Sequence, residues 1–98
     1  MITNFRLRSL AQSDLELIWL YTLDQWGRDQ ANSYLESIIN RFQWLVDNPS
    51  LGKHRDDIKE GYYCFPEGMH LIFYKIKEDH IDIIGIPHQN MDLINYLF

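Results

Sequence analysis

Apolar and polar residues alternate over residues 3–8, with Phe5 and Leu7 on one side and Arg6 and Arg8 on the other, which predicts a short strand. The period then lengthens. Ser9 with Gln12 three positions on matches a capping box, and Ala11, Leu15, Ile18, Thr22 and Trp26 recur at helical spacing to define one buried stripe. Leu17, Leu20, Tyr21 and Leu23 lie off that stripe, so the helix is apolar around more of its girth than one interface requires. Two readings stand: burial on two sides, or a surface that waits for a partner. Gly27, free to take a left-handed conformation, ends the helix. A second helix carries Ala31, Tyr34, Leu35, Ile38, Phe42 and Leu45, widened by Ile39 and Val46, and stops at Asn48-Pro49. Together they make a helical hairpin.

Residues 50–60 are polar and charged and are expected to form a surface loop. Beyond them the period falls to two. Gly61 to Phe65 reads as a strand, Pro66-Glu67-Gly68 as its turn, and Met69 to Lys77 as the strongest strand of the chain. In that strand His70, Ile72, Tyr74 and Ile76 share one face, and Met69, Leu71 and Phe73 the other. Glu78-Asp79 turns the chain into a strand over Ile81–Ile86, which Pro87 closes. Residues 89–97, with Met91, Leu93, Ile94 and Leu97, are expected to form a short terminal helix. The order β-α-α-β-β-β-α predicts an α+β fold, a helical hairpin packed on a mostly antiparallel sheet.

The 98 residues allow one domain over positions 1–98, and three Trp, six Tyr and five Phe supply apolar bulk for its core. Charge changes the picture more. Nine Lys+Arg against fourteen Asp+Glu give a net charge of −5, which disfavours extensive grip on nucleic-acid phosphates. The excess is uneven: residues 1–53 hold five basic and six acidic side chains, residues 54–98 four and eight. The lone Cys64 cannot form an internal disulfide, and no apolar run approaches the ~20 residues of a membrane span. A cytoplasmic protein is the expectation.

Four chemistries can be set against the side chains. No phosphate-binding glycine loop occurs. His54, His70, His80 and His88 never fall at i, i+4 on a helix, so no metal site is expected, although His70 and His88 stand where they can converge. A Cys64–His70 nucleophile pair would need an exposed, stabilised thiolate, and Tyr63 and Phe65 beside Cys64 bring no positive charge. Phosphodiester cleavage is the most substantial candidate: Lys53 and Arg55 as cations and His88 as acid or base. Asp56, Asp57 and Glu60 surround that basic triplet around His54 and neutralise it.

In sequence the chain resembles ParE-type toxins of the RelE/ParE superfamily. The resemblance rests on Ala11-x-x-Asp14-Leu15-x-x-Ile18, Tyr21-Thr22, Trp26-Gly27-x-x-Gln30-Ala31 and Phe42-x-x-Leu45-x-x-Asn48-Pro49. It continues through Gly52, Asp56-Asp57-Ile58, Gly61-Tyr62, His70-x-Ile72-Phe73-Tyr74 and Ile83-x-x-Ile86-x-His88-x-x-Met91-Asp92. The order and spacing of these pieces, from about residue 5 to residue 92, carry it. The helical hairpin on an antiparallel sheet is also that superfamily's fold.

The resemblance implies a type II toxin that interferes with DNA gyrase by protein contact, without cofactor, and is neutralised by a ParD-like antitoxin. RelE-like cousins instead cut messenger RNA on the ribosome, using basic residues on the sheet and a terminal His or Tyr. Here Tyr63 and Gly85 stand where the family pattern commonly has Arg, and Pro87 where Leu is more common, leaving Lys53, Arg55 and His88 as a nuclease set. A silenced toxin kept as an antitoxin-binding module is the third alternative. The surplus residues Leu17, Leu20 and Tyr21 are the expected antitoxin surface, received at i, i+3, i+4 spacing. Ile94, Tyr96, Leu97 and Phe98 form a second apolar patch, for a target or for packing of the last helix.

Overall fold

In a computed structural model of the chain, which describes residues 1–97, two helices cover one face of a five-stranded sheet. Strand β1 spans Asn4–Leu7, helix α1 Ser9–Trp26 and helix α2 Arg28–Asp47. A 3₁₀ turn at Pro49–Leu51 leads to β2 (Lys53–His54), β3 (Tyr63–Glu67), β4 (His70–Ile76), β5 (His80–Gly85) and a last helix, α3 (Leu93–Leu97). The sheet order is β1-β5-β4-β3-β2. Among the described residues only the pairing of β1 with β5 is parallel, in a register that sets Phe5 beside Ile81 and Leu7 beside Ile83.

Alternation sends Phe5, Leu7, Ile72, Tyr74, Ile76, Ile81 and Ile83 toward the helices, where they meet Ala11, Ile18, Ile38, Phe42 and Leu45. A smaller cluster of Tyr62, Cys64, Phe73 and Ile84 occupies the opposite face, and Leu93 and Leu97 of α3 pack on it. One extra residue, Ile84, bulges between the Tyr74↔Ile83 and Phe73↔Gly85 pairs. That bulge re-aims the strand, so Ile83 and Ile86, three apart, both reach the helix side. Among the described residues, no helix is long and apolar enough to cross a membrane.

Several expectations are corrected. No capping box forms. Ser9 is already helical and the N-cap falls on Arg8, whose guanidinium has no acceptor to cap with. Its backbone N–H, the group a capping-box glutamine would serve, donates to the Ile83 carbonyl at the end of the parallel ladder. The Gln12 amide reaches the Leu7 carbonyl instead. Trp26 leaves the buried stripe: it is 72% exposed at the end of α1. Gly27 ends α1 as expected, with φ +91° and open space where a Cβ would stand, so its role is conformational. The 50–60 stretch is not all loop, since Lys53 and His54 pair with Cys64 and Tyr63. The third strand starts at Tyr63 rather than Gly61 and keeps Pro66, which β2 is too short to reach, so its missing N–H costs no ladder bond. The turn is therefore Gly68-Met69, between the paired Glu67 and His70. The terminal helix is confined to Leu93–Leu97, because residues 88–90 run beside β4 through a His70↔His88 bridge and the Gln89 N–H bond to the Met69 carbonyl.

Candidate functional site

Helix α1 is a ridge with a groove on each side. Three residues expected to be surplus to the core are exposed: Leu17 by 64%, Leu20 by 55% and Tyr21 by 66%. On the α2 side, Leu15, Glu16, Trp19, Leu20 and Leu35 line an open groove of about 450 Å³. Its floor is held by Trp19, whose indole N–H donates to Asn32 of α2 at 2.9 Å. On the other side, Tyr21, Trp26, Tyr34 and Met69 surround His70 and His88 in a groove of about 410 Å³.

The two histidines do converge, with ring centroids 5.4 Å apart. The Tyr34 hydroxyl lies 2.6 Å from His70 Nδ1 and accepts the Met69 N–H at 3.1 Å. It thereby ties α2 to the β3–β4 turn. Gly68 at that turn has φ +56°, and a Cβ there would come within 2.6 Å of the Tyr34 ring, so glycine is required on both counts. Burial first, and the neighbouring His88 second, push the His70 pKa down to about 4, which keeps its imidazole neutral at physiological pH. His88 Nδ1 accepts the Asn90 N–H at 3.2 Å. Among the described residues, no three His, Cys, Asp or Glu side chains are grouped to hold a metal.

Lys53, Arg55 and His88 are not brought together. Lys53 pairs across from Cys64, itself opposite Phe73, whereas His88 bridges to His70. The offset is about 10 Å along β4 and roughly three strand spacings, ~14 Å, across the sheet. They also use opposite faces: the Arg55 guanidinium lies 5.8 Å from the Phe73 ring, while His88 stands against Leu17, Ile18 and Tyr21 of α1. Arg55 is further engaged by both carboxylate oxygens of Asp57, at 2.9 and 3.0 Å. Tyr63 is an aromatic packing residue between His54 and Tyr74, with ring centroids at 4.3 and 5.4 Å. Cys64 is buried on the outer face, away from His70, and burial pushes its thiol pKa up, away from a reactive thiolate. His80 pairs with Asp79 at 2.7 Å.

The C-terminal patch divides. Ile94 is 54% exposed, Leu97 packs on the outer cluster, and Phe98 lies outside the described residues. Tyr96 turns inward, its hydroxyl donating to the buried carboxylate of Asp14 on α1, which also accepts the Ile86 N–H at 2.8 Å. A Cβ on Gly85 would come within 2.7 Å of the Tyr96 oxygen. The phenol thus fills the space a side chain at position 85 would take. Sequence reasoning missed this latch, although Asp14 stood as a polar position inside an apolar stripe, three after Ala11 and four before Ile18. It also missed the Tyr34 contact, having counted Tyr34 only as core.

The family model described as the ParE toxin of the type II toxin-antitoxin system, parDE, matches residues 5–93. The chain belongs to the ParE toxin family. Toxin ParE1 of Mycobacterium tuberculosis (strain CDC 1551 / Oshkosh) is 37% identical over 94 residues, covering 95% of this chain and 96% of the relative. Toxin ParE1 of Caulobacter vibrioides is 30% identical over 88 residues, covering 90% of this chain and 91% of the relative. A solved structure described as the chromosomal ParDE TA system from P. aeruginosa shares the fold, with a TM-score of 0.76 at 18% identity over 90% of this chain and 96% of that one. In this ParE toxin the hairpin covers one face of the sheet with Leu17, Leu20 and Tyr21 turned outward, and Tyr96 of α3 is latched to Asp14.

Proposed function

We propose that this ParE toxin acts in the cytoplasm on DNA gyrase by protein–protein contact rather than by catalysis, and that a ParD-like antitoxin neutralises it by covering α1. The observation that carries the reading is the pairing of two features. Leu17, Leu20 and Tyr21 present a broad apolar ridge to solvent, a surface suited to a partner's helix. Meanwhile the cations and the histidine that phosphodiester cleavage would require stand apart on opposite faces of the sheet, with Arg55 held by Asp57. A transition state bearing phosphate charge needs donors aimed at one point.

Expression of the toxin alone tests the reading. Growth arrest with filamentation and induction of the DNA-damage response is the expected outcome, together with inhibited supercoiling when the purified chain is added to gyrase. His88→Ala leaves that toxicity intact. Prompt loss of translation with cleaved messages, abolished by His88→Ala, would establish a messenger-RNA nuclease instead. Absence of any toxicity would mark a silenced binding module.

A further inference from the structure

Charge is distributed between the layers of this molecule very unequally. The hairpin, Ser9–Asp47, holds six acidic side chains against Arg28 and Arg41, a net −4 of the chain's −5. Helix α1 itself has Asp14, Glu16 and Asp24 and no basic residue. Asp14 is consumed internally by Tyr96 and the Ile86 N–H. Glu16 and Asp24 are exposed, and both sit within the apolar ridge. Glu16 is four residues before Leu20, and Asp24 follows Leu20 by four and Tyr21 by three, so on a helix they are neighbours on one face. Glu16 also forms a wall of the groove that Leu15, Trp19, Leu20 and Leu35 line.

The position of Asp24 adds an independent argument. It lies in the last turn of α1, toward the negative end of the helix dipole, and that turn itself carries no basic residue. Its carboxylate accepts a 3.2 Å bond from the adjacent Gln25 amide. A carboxylate placed against a negative helix end makes the local potential more negative, which favours a cation supplied from outside.

We infer that the segment covering α1 is a basic amphipathic helix, seating apolar anchors on Leu17, Leu20 and Tyr21 while its Lys or Arg side chains cover Glu16 and Asp24. The inference rests on the antitoxin reading above and assigns the chemistry of that partner's docking arm. An acidic arm meets like charges within this surface, at Glu16 and at Asp24.

The test uses the intact toxin and two synthetic helical peptides with identical leucine spacing, one flanked by Lys and the other by Glu. The Lys peptide binds about tenfold tighter at low salt, and the preference shrinks at high salt. Glu16→Gln/Asp24→Asn weakens the Lys peptide about fivefold, in line with two exposed ion pairs. Glu60→Gln/Glu78→Gln, with the same change in net charge but away from α1, leaves it unchanged. Leu20→Glu abolishes binding of both peptides. Equal affinity for the two peptides, preference for the Glu peptide, binding of neither, or equal loss in the two double variants would each overturn the inference. The product of the neighbouring reading frame separates the two failures. If it neutralises the toxin in cells yet binds the Glu16→Gln/Asp24→Asn variant unweakened, the charge assignment falls and the antitoxin reading stands. If it neither binds nor neutralises, the antitoxin reading falls.

Discussion

His70 sits between Tyr34 and His88 with its imidazole half-buried, and this placement has a measurable consequence. Its pKa is lowered from 6.5 to about 4, so the folded chain keeps it neutral where an unfolded histidine takes up a proton. Between those values the unfolded state binds more protons, and stability falls as the pH is lowered from about 6.5 to about 4. Thermal unfolding of the parent and of His70→Gln across that window checks this: the variant loses part of the slope, and parallel profiles would refute the assignment. The convergence of His70 with His88 was legible from a strand and the residues just after the next one. Tyr34 was not, because a tyrosine at a core-stripe position carries no sign of where its hydroxyl ends. The buried phenol of Tyr74 is similar: it donates to the Pro49 carbonyl at 2.7 Å and accepts the Gly52 N–H at 3.0 Å, and burial pushes its pKa up to about 12.

At the scale of elements, periodicity located both long helices and the three strands after them, because each has one face committed to a core. It failed where an element is defined by its neighbours. β2 is two residues long and exists only through its ladder with β3, and α1 begins where the parallel ladder lets go of Arg8 rather than at a capping serine. Helix α3 is five residues long and owes its place to tertiary contacts, chiefly Tyr96 on Asp14 and the packing of Leu93 and Leu97. Gly85→Ala tests this dependence. The added methyl displaces Tyr96, leaves the Asp14 carboxylate short of a donor, and costs about 1–3 kcal/mol in chemical denaturation. In a Tyr96→Phe background the same substitution costs clearly less, a coupling that a double-mutant cycle reads directly. Additive losses would show that the two residues act separately.

For the molecule as a whole, the layered α+β architecture followed from the order of elements, whereas its sheet order did not, since alternation says nothing about which strand lies next to which. Net charge was legible and its concentration on the hairpin was countable, but only the exposure of Leu17, Leu20 and Tyr21 gave that charge a surface to act on. The parallel pairing of β1 with β5 has a temporal meaning. Asn4 meets His80 only by closing a loop of most of the chain, whereas α1 and α2 associate through contacts within residues 9–47. Loop-closure entropy must be met before such distant pairs reward it, so sheet closure is the slow event and the hairpin the early one. Leu7→Ala, at the β1–β5 seam, is therefore expected mainly to speed unfolding, while Ile38→Ala in the hairpin slows refolding, as stopped-flow kinetics in denaturant will distinguish. The reverse pattern would place sheet closure first. With the hairpin early, the exposed ridge of Leu17, Leu20 and Tyr21 is assembled before the sheet beneath it is complete, so if the antitoxin docks there as proposed, its capture of the toxin can begin on a half-formed molecule.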